Sequence, residues 1–204
     1  MEHLNDLIIR YPKLAGCKES IQKTFEYLAK SFEEGGRLYI CGNGGSASDA
    51  LHIVGELVKS FVLPRCLDED FEKAVSPELC ANLHCALPAH ALVENSALST
   101  AYANDVDPDF MFAQQVYAYA RKGDCVLGIS TSGNSKNVLC ALEVARGRGA
   151  FTLGLTGKNG GKMKDICDAC IVIPEMETYK IQELHLPVYH ALCIMLEAYF
   201  WGKK

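Results

Sequence analysis

Cys125-Val-Leu-Gly-Ile-Ser-Thr-Ser-Gly-Asn-Ser135 sets the architecture of this chain. Its first five residues form an apolar run of the length and composition of a buried strand. Lys136-Asn-Val-Leu-Cys-Ala-Leu-Glu-Val-Ala-Arg146 follows, with apolar residues at Val138, Leu139, Leu142, Val144 and Ala145, a helical spacing. Between them, Ser130-Thr-Ser-Gly-Asn-Ser135 places four hydroxyls and a glycine in six positions. A turn between a strand and a helix presents free backbone N–H groups and the positive end of the helix dipole to whatever lies in front of it. Phosphate suits such a place. An ordinary helix cap is the plainer alternative for Ser135, although one cap needs only one hydroxyl.

A second unit of the same kind lies upstream. Gly35-Gly36 ends a helix, Arg37-Leu-Tyr-Ile-Cys41 reads as a strand, and Gly42-Asn-Gly-Gly-Ser-Ala-Ser48 as a polar turn into a helix from Asp49 to about Ser60. This turn lacks the Gly-Lys-[Ser/Thr] of a P-loop, and Ala47 stands where G-x-G-x-x-G needs its third glycine. Two strand–turn–helix units with polar turns place a ligand site at the carboxyl ends of parallel strands. On this upstream unit's helix, His52 and Glu56 share one face. They are either a buried hydrogen-bonded pair or a functional one.

The remaining chain alternates similarly. Residues 2–34 spell two helical pieces broken at Pro12, and 61–87 a long loop or short helices. Pro88–Val93 is a short strand, and Glu94–Tyr102 a helix. Asn104–Asp109 forms a turn before a helix over Phe110–Arg121. Ala150–Thr156 and Ile171–Pro174 are further strands. In the last segment, helical in its later part, Pro187 calls for a kink or a helix start. Gln182, Glu183, His185 and His190 collect polar chemistry at one end of that helix, and one of the two histidines is expected to be a core residue. The expected fold is a three-layer α/β/α sandwich with a five-stranded parallel sheet, a single domain over 1–204 with N-terminal helices in 1–34 and the α/β core in 35–204.

Composition narrows the function. A net charge of −5 and pI near 5.7 give no field for nucleic acid, so phosphate affinity has to be local. No stretch suits a signal peptide or a membrane span, which implies a cytoplasmic protein. Of the ten cysteines, Cys41, Cys125, Cys140 and Cys193 lie in apolar segments, where Cys packs as a small hydrophobe. Free thiols in a reducing compartment are expected. Cys167-Asp-Ala-Cys170 lacks a second pair to complete a zinc ribbon.

With Cys41-Gly-Asn-Gly-Gly-Ser46, His52-x-x-x-Glu56, Asn104-Asp105, Gly128–Ser135, Leu155–Met163 and Ile181-Gln-Glu-Leu-His…His190 in view, nearly the whole chain resembles the sugar isomerase (SIS) family. Within it the chain is similar to the phosphoheptose isomerase branch, which converts sedoheptulose 7-phosphate to D-glycero-D-manno-heptose 7-phosphate. The resemblance implies that Ser130, Thr131, Ser132 and Ser135 hold the phosphate, and that Asn43, Gly44, Gly45, Ser46, Asn104, Asp105 and Gln182 meet the sugar. It implies Glu56 as the base and His190 as its acid/base partner. His52, Glu56, Gln182 and His190 form a set similar to a zinc (Zn2+) site. It further implies a homotetramer with sites at subunit interfaces. Two departures stand out: Lys59 and Ser60 occupy places near which relatives usually carry an Arg, and Cys66–Leu83 is longer than usual. The alternatives are another sugar phosphate as substrate, or a non-catalytic relative that binds the replication initiator.

Overall fold

The computed structural model describes residues 2–202. Helix α1 (Glu2–Arg10), a 3-10 turn (Pro12–Cys17) and α2 (Lys18–Glu33) precede strand β1 (Leu38–Gly42) and α3 (Gly45–Val58). Two short helices follow, α4 (Glu69–Ala74) and α5 (Pro77–Asn82), then β2 (Ala89–Ala91), α6 (Ser96–Asp105) and α7 (Met111–Tyr119). The chain continues through β3 (Cys125–Ser130), α8 (Lys136–Gly147), β4 (Phe151–Thr156), α9 (Met163–Ile166), β5 (Ala169–Val172) and α10 (Thr178–Trp201).

The five strands are parallel, in the order β2-β1-β3-β4-β5. Alternate strand residues feed two cores. Leu38, Ile40, Leu127, Ile129, Leu153 and Leu155 pack with residues of α1, α2, α3 and α10. Tyr39, Cys41 and Val126 turn to the other face, against α7, α8 and Met163 of α9. Both faces of the sheet are therefore covered, the condition under which parallel strands are stable. The expected three-layer α/β/α fold is the observed one.

Local differences have physical causes. Helix α3 starts four residues ahead of Asp49, because Gly44 at φ +55° completes the turn alone and Ala47 and Ser48 already donate to its carbonyl. Asn104 and Asp105, expected in a turn, form the last turn of α6, whose N-terminus Asn95 caps by accepting from Leu98 N at 3.0 Å. Helix α10 runs continuously for 24 residues, with Pro187 inside it. Proline there lacks the N–H that would meet the Glu183 carbonyl, and its buried ring packs in the core instead. All ten cysteines are free. Cys167 and Cys170 both lie over Gly154, where a Cβ would stand 3.2 and 2.8 Å from their sulfurs. Among the described residues no helix is long and apolar enough to cross a membrane.

Candidate active site

The sheet order reverses between β1 and β3, since β1 leads to α3 on one face and β3 to α8 on the other. In open α/β sheets the crevice at such a point, beyond the carboxyl ends of the strands, is where ligands bind. Both polar turns identified in the sequence end there. The hydroxyls of Ser130, Ser132 and Ser135 converge: Ser130 Oγ lies 2.8 Å from Ser135 Oγ and 3.4 Å from Ser132 Oγ. Ser135 makes no side-chain cap to α8; its hydroxyl faces the loop, as an anion cradle requires. Gly133, at φ +65°, lets the turn lie directly on the 160–161 backbone, where a Cβ would run into the Gly160 carbonyl oxygen. Met163 N donates to Gly133 O and Lys162 N to Asn134 Oδ1, both at 3.1 Å, fixing the turn from behind.

The turn after β1 is tied to this one. Asn43 and Asn137 exchange two side-chain hydrogen bonds of 2.9 Å. Ser46 is buried, and Gly45 passes so close to Gln182 that a Cβ there would collide with Nε2. Asn43, Gly44, Gly45, Ser46 and Gln182 thus share one end of the parallel helices α3 and α10.

A second cluster lies further along the same two helices. His52 Nε2 stands 3.3 Å from Glu56 Oε1 and 3.4 Å from His190 Nε2. Tyr189, buried, places its hydroxyl 3.0 Å from His52 Nδ1 and orients that ring from the far side. Lys59 Nζ takes the other Glu56 oxygen at 2.9 Å. Burial, then the neighbouring His52, lowers the pKa of His190 below the ordinary imidazole value, which favours the neutral ring near pH 7. His185 is the core histidine of the pair: it is fully buried, 3.5 Å from Asp49 Oδ2, with no hydrogen bond at either ring nitrogen.

The candidate residues therefore fall into groups. The serine turn gathers with the glycine turn and Gln182, while Glu56, His52 and His190 gather about two to three helical turns further on. Asn104 and Asp105 bond each other at 2.9 Å, and no hydrogen bond or ion pair among the described residues joins them to either turn. Gln182 and His190, eight residues apart on one helix, are about 12 Å apart along its axis. Tetrahedral zinc with ligands at about 2.0–2.1 Å separates its donors by about 3.3–3.4 Å, and both His52 contacts match that spacing. Among the described residues, however, no group of three or more His, Cys, Asp and Glu side chains is arranged around a common point for a metal ion.

Three groups escaped sequence reasoning. Asn137 and Tyr189 sit inside helical patterns that gave them no distinguishing mark. Arg65 and Glu197 form a buried ion pair between α10 and the segment after α3. A lone Arg after Pro64 and a lone Glu in an apolar helix were its only traces.

The chain belongs to the SIS domain family, which matches over residues 97–200 and, in a second form, over 13–72. Within that family its relatives are proteins named phosphoheptose isomerase. That of Rhodospirillum rubrum is 39% identical, covering 91% of this chain and 88% of the relative, and that of Crocosphaera subtropica is 41% identical, covering 90% and 84%. Among solved structures, phosphoheptose isomerase GmhA from Neisseria gonorrhoeae superposes with a TM-score of 0.74 at 32% identity, covering 91% of this chain and 87% of that one. A phosphoheptose isomerase from Francisella tularensis gives 0.76 at 29%, covering 96% and 93%.

Proposed function

We propose that this protein isomerises sedoheptulose 7-phosphate to D-glycero-D-manno-heptose 7-phosphate. The observation that carries the reading is the Glu56–His52–His190 chain of contacts, which joins a carboxylate on α3 to an imidazole on α10. Aldose–ketose exchange moves one proton between adjacent carbons and another between their oxygens. Glu56 takes the C1 proton of the ketose and returns it to C2. His190, neutral near pH 7, passes a proton between O1 and O2 of the enediol(ate). Ser130, Thr131, Ser132 and Ser135, with the N-terminus of α8, anchor the phosphate and so fix which carbons meet the base. The relatives' shared name supports catalysis over a purely regulatory role.

Along α3, Gly45 and Glu56 are eleven residues, or about 16 Å, apart. No hydrogen bond or ion pair among the described residues joins Glu56 or His190 to the serine turn. We infer that a complete site takes its anion turn and its acid/base groups from different copies, as in a homotetramer with sites between subunits. The same argument applies to zinc. His52, Glu56 and His190 would hold it, with the amide of Gln182 supplied by a second copy. When bound, the ion polarises the substrate carbonyl. A cytoplasmic setting suits the free thiols.

The test is turnover of sedoheptulose 7-phosphate by the native assembly, with and without added zinc, followed by appearance of the aldose phosphate. Glu56→Gln is expected to lower kcat by about 10²–10⁴ with the fold retained. A wild-type protein inactive on this ketose under both conditions, or a fully active Glu56→Gln variant, removes the reading.

A further inference from the structure

The chain leaving α3 doubles back across α10 and is held there by one ion pair. Arg65 and Glu197 are both completely shielded from solvent, and Arg65 Nε donates to Glu197 Oε1 at 2.8 Å. Nη1 donates to the Leu57 carbonyl at 2.6 Å, Nη2 to the Glu56 carbonyl at 2.9 Å, and the guanidinium stacks 4.8 Å above Trp201. Glu197 also accepts from the backbone N–H groups of Phe61, Val62 and Leu63 at 2.8, 2.8 and 2.9 Å. Each carboxylate oxygen has two donors, and each guanidinium nitrogen has an acceptor.

Such a pair needs a reason beyond stability, because well-packed apolar replacements of buried ion pairs are often neutral or stabilising. Its placement supplies one. Arg65 closes the C-terminus of α3 on the carbonyl of Glu56 itself. Glu197 lies seven residues, two helical turns, beyond His190 on α10, and so on the same face. The segment the pair clamps carries Phe61, whose ring is 5.4 Å from the His190 imidazole. One buried contact thus spans the two helices that carry the two groups assigned to proton transfer.

We propose that Arg65 and Glu197 are positioning residues, whose ion pair sets the registration of Glu56 against His190. This rests on the isomerase reading above. The test compares Arg65→Met/Glu197→Leu and Arg65→Lys with wild type by melting temperature, kcat and KM for sedoheptulose 7-phosphate, and by the imidazole resonances of His52 and His190. The double variant, which leaves three backbone N–H groups and two carbonyls without their partners, is expected to melt below wild type and to lose about 10²-fold in kcat, the scale of an ångström-level misplacement, with KM held within about twofold. Arg65→Lys, which keeps the charge and loses the planar fork, is expected in between. A folded double variant with wild-type kcat overturns the proposal. If that variant does not fold, wild-type kcat in Arg65→Lys overturns it. If wild type itself turns over no sugar phosphate, the isomerase reading fails separately. The registration claim is then decided by the resonances, which shift in the variants if it holds and stay fixed if it does not.

Discussion

Asn43 and Asn137 exchange two hydrogen bonds of 2.9 Å across the crevice between β1 and β3. The bond pair makes one unit of two turns that leave neighbouring strands for opposite faces of the sheet. Asn137 Oδ1 also accepts from Val138 N, in the first turn of α8. Replacing Asn137 by Ala frees the Asn43 amide and loosens the rim of the crevice. Neutral hydrogen bonds contribute about 0.5–1.5 kcal/mol each, so losing these should lower the melting temperature by several degrees. KM for the sugar phosphate should rise several-fold at nearly constant kcat, which steady-state kinetics would read directly.

The serine turn separates two kinds of hydroxyl. Ser130 is almost buried and bonds both Ser132 and Ser135, whereas Ser135 is half-buried at the mouth of the turn. Hydrogen bonds to a charged group contribute about 1.5–3 kcal/mol. Ser135→Ala should therefore raise KM by about one to two orders of magnitude and leave folding intact. Ser130→Ala should combine a KM effect with a lower melting temperature. Equal KM for both variants and wild type would show that no anion is held there.

What the sequence made legible was local. The serine turn, the glycine turn and the apolar strands before them are contiguous, so the pattern of residues and the structure it forms coincide. The His52/Glu56 pair was legible because four residues place two side chains on one helical face. The partners these groups meet were not. Arg65 and Glu197 are 132 positions apart, and Tyr189 reaches His52 across 137; no periodicity encodes such contacts. Pro187 sits nine residues into α10 and not at its first turn, because a missing backbone bond is tolerated where tertiary packing holds both sides of the helix.

Glu197 gives the acid limb of stability its shape. Burial pushes its carboxyl up, but the N–H groups of Phe61, Leu63 and Val62 and the Arg65 guanidinium outweigh it and hold the pKa below the ordinary carboxylate value. A depressed folded-state pKa contributes stability that is present above the unfolded value. It is lost as pH falls through the folded one, because the unfolded chain then binds more protons. Denaturant melts from pH 7 downward should show stability falling below about pH 4.5. Glu197→Gln should be less stable at pH 7 and show a flatter acid limb. An unchanged slope in that variant would assign the acid sensitivity to other carboxylates.

Gly45 and Gln182 offer the sharpest separation of packing from chemistry. A Cβ at position 45 would overlap Gln182 Nε2 and come within 3.0 Å of its Cδ. The obstacle is the far end of a flexible side chain, so the backbone need not shift and the amide swings away. Ala at the start of α3 also improves helix propensity, by up to about 1 kcal/mol in an interior position. Gly45→Ala should therefore melt at or slightly above wild type while losing activity, and Gln182→Ala should lose a similar amount. If displacement of the amide is the shared cause, the two losses will not add in the double variant. Additive losses would mean that Gly45 contributes through its own backbone approach to the substrate and that Gln182 acts elsewhere.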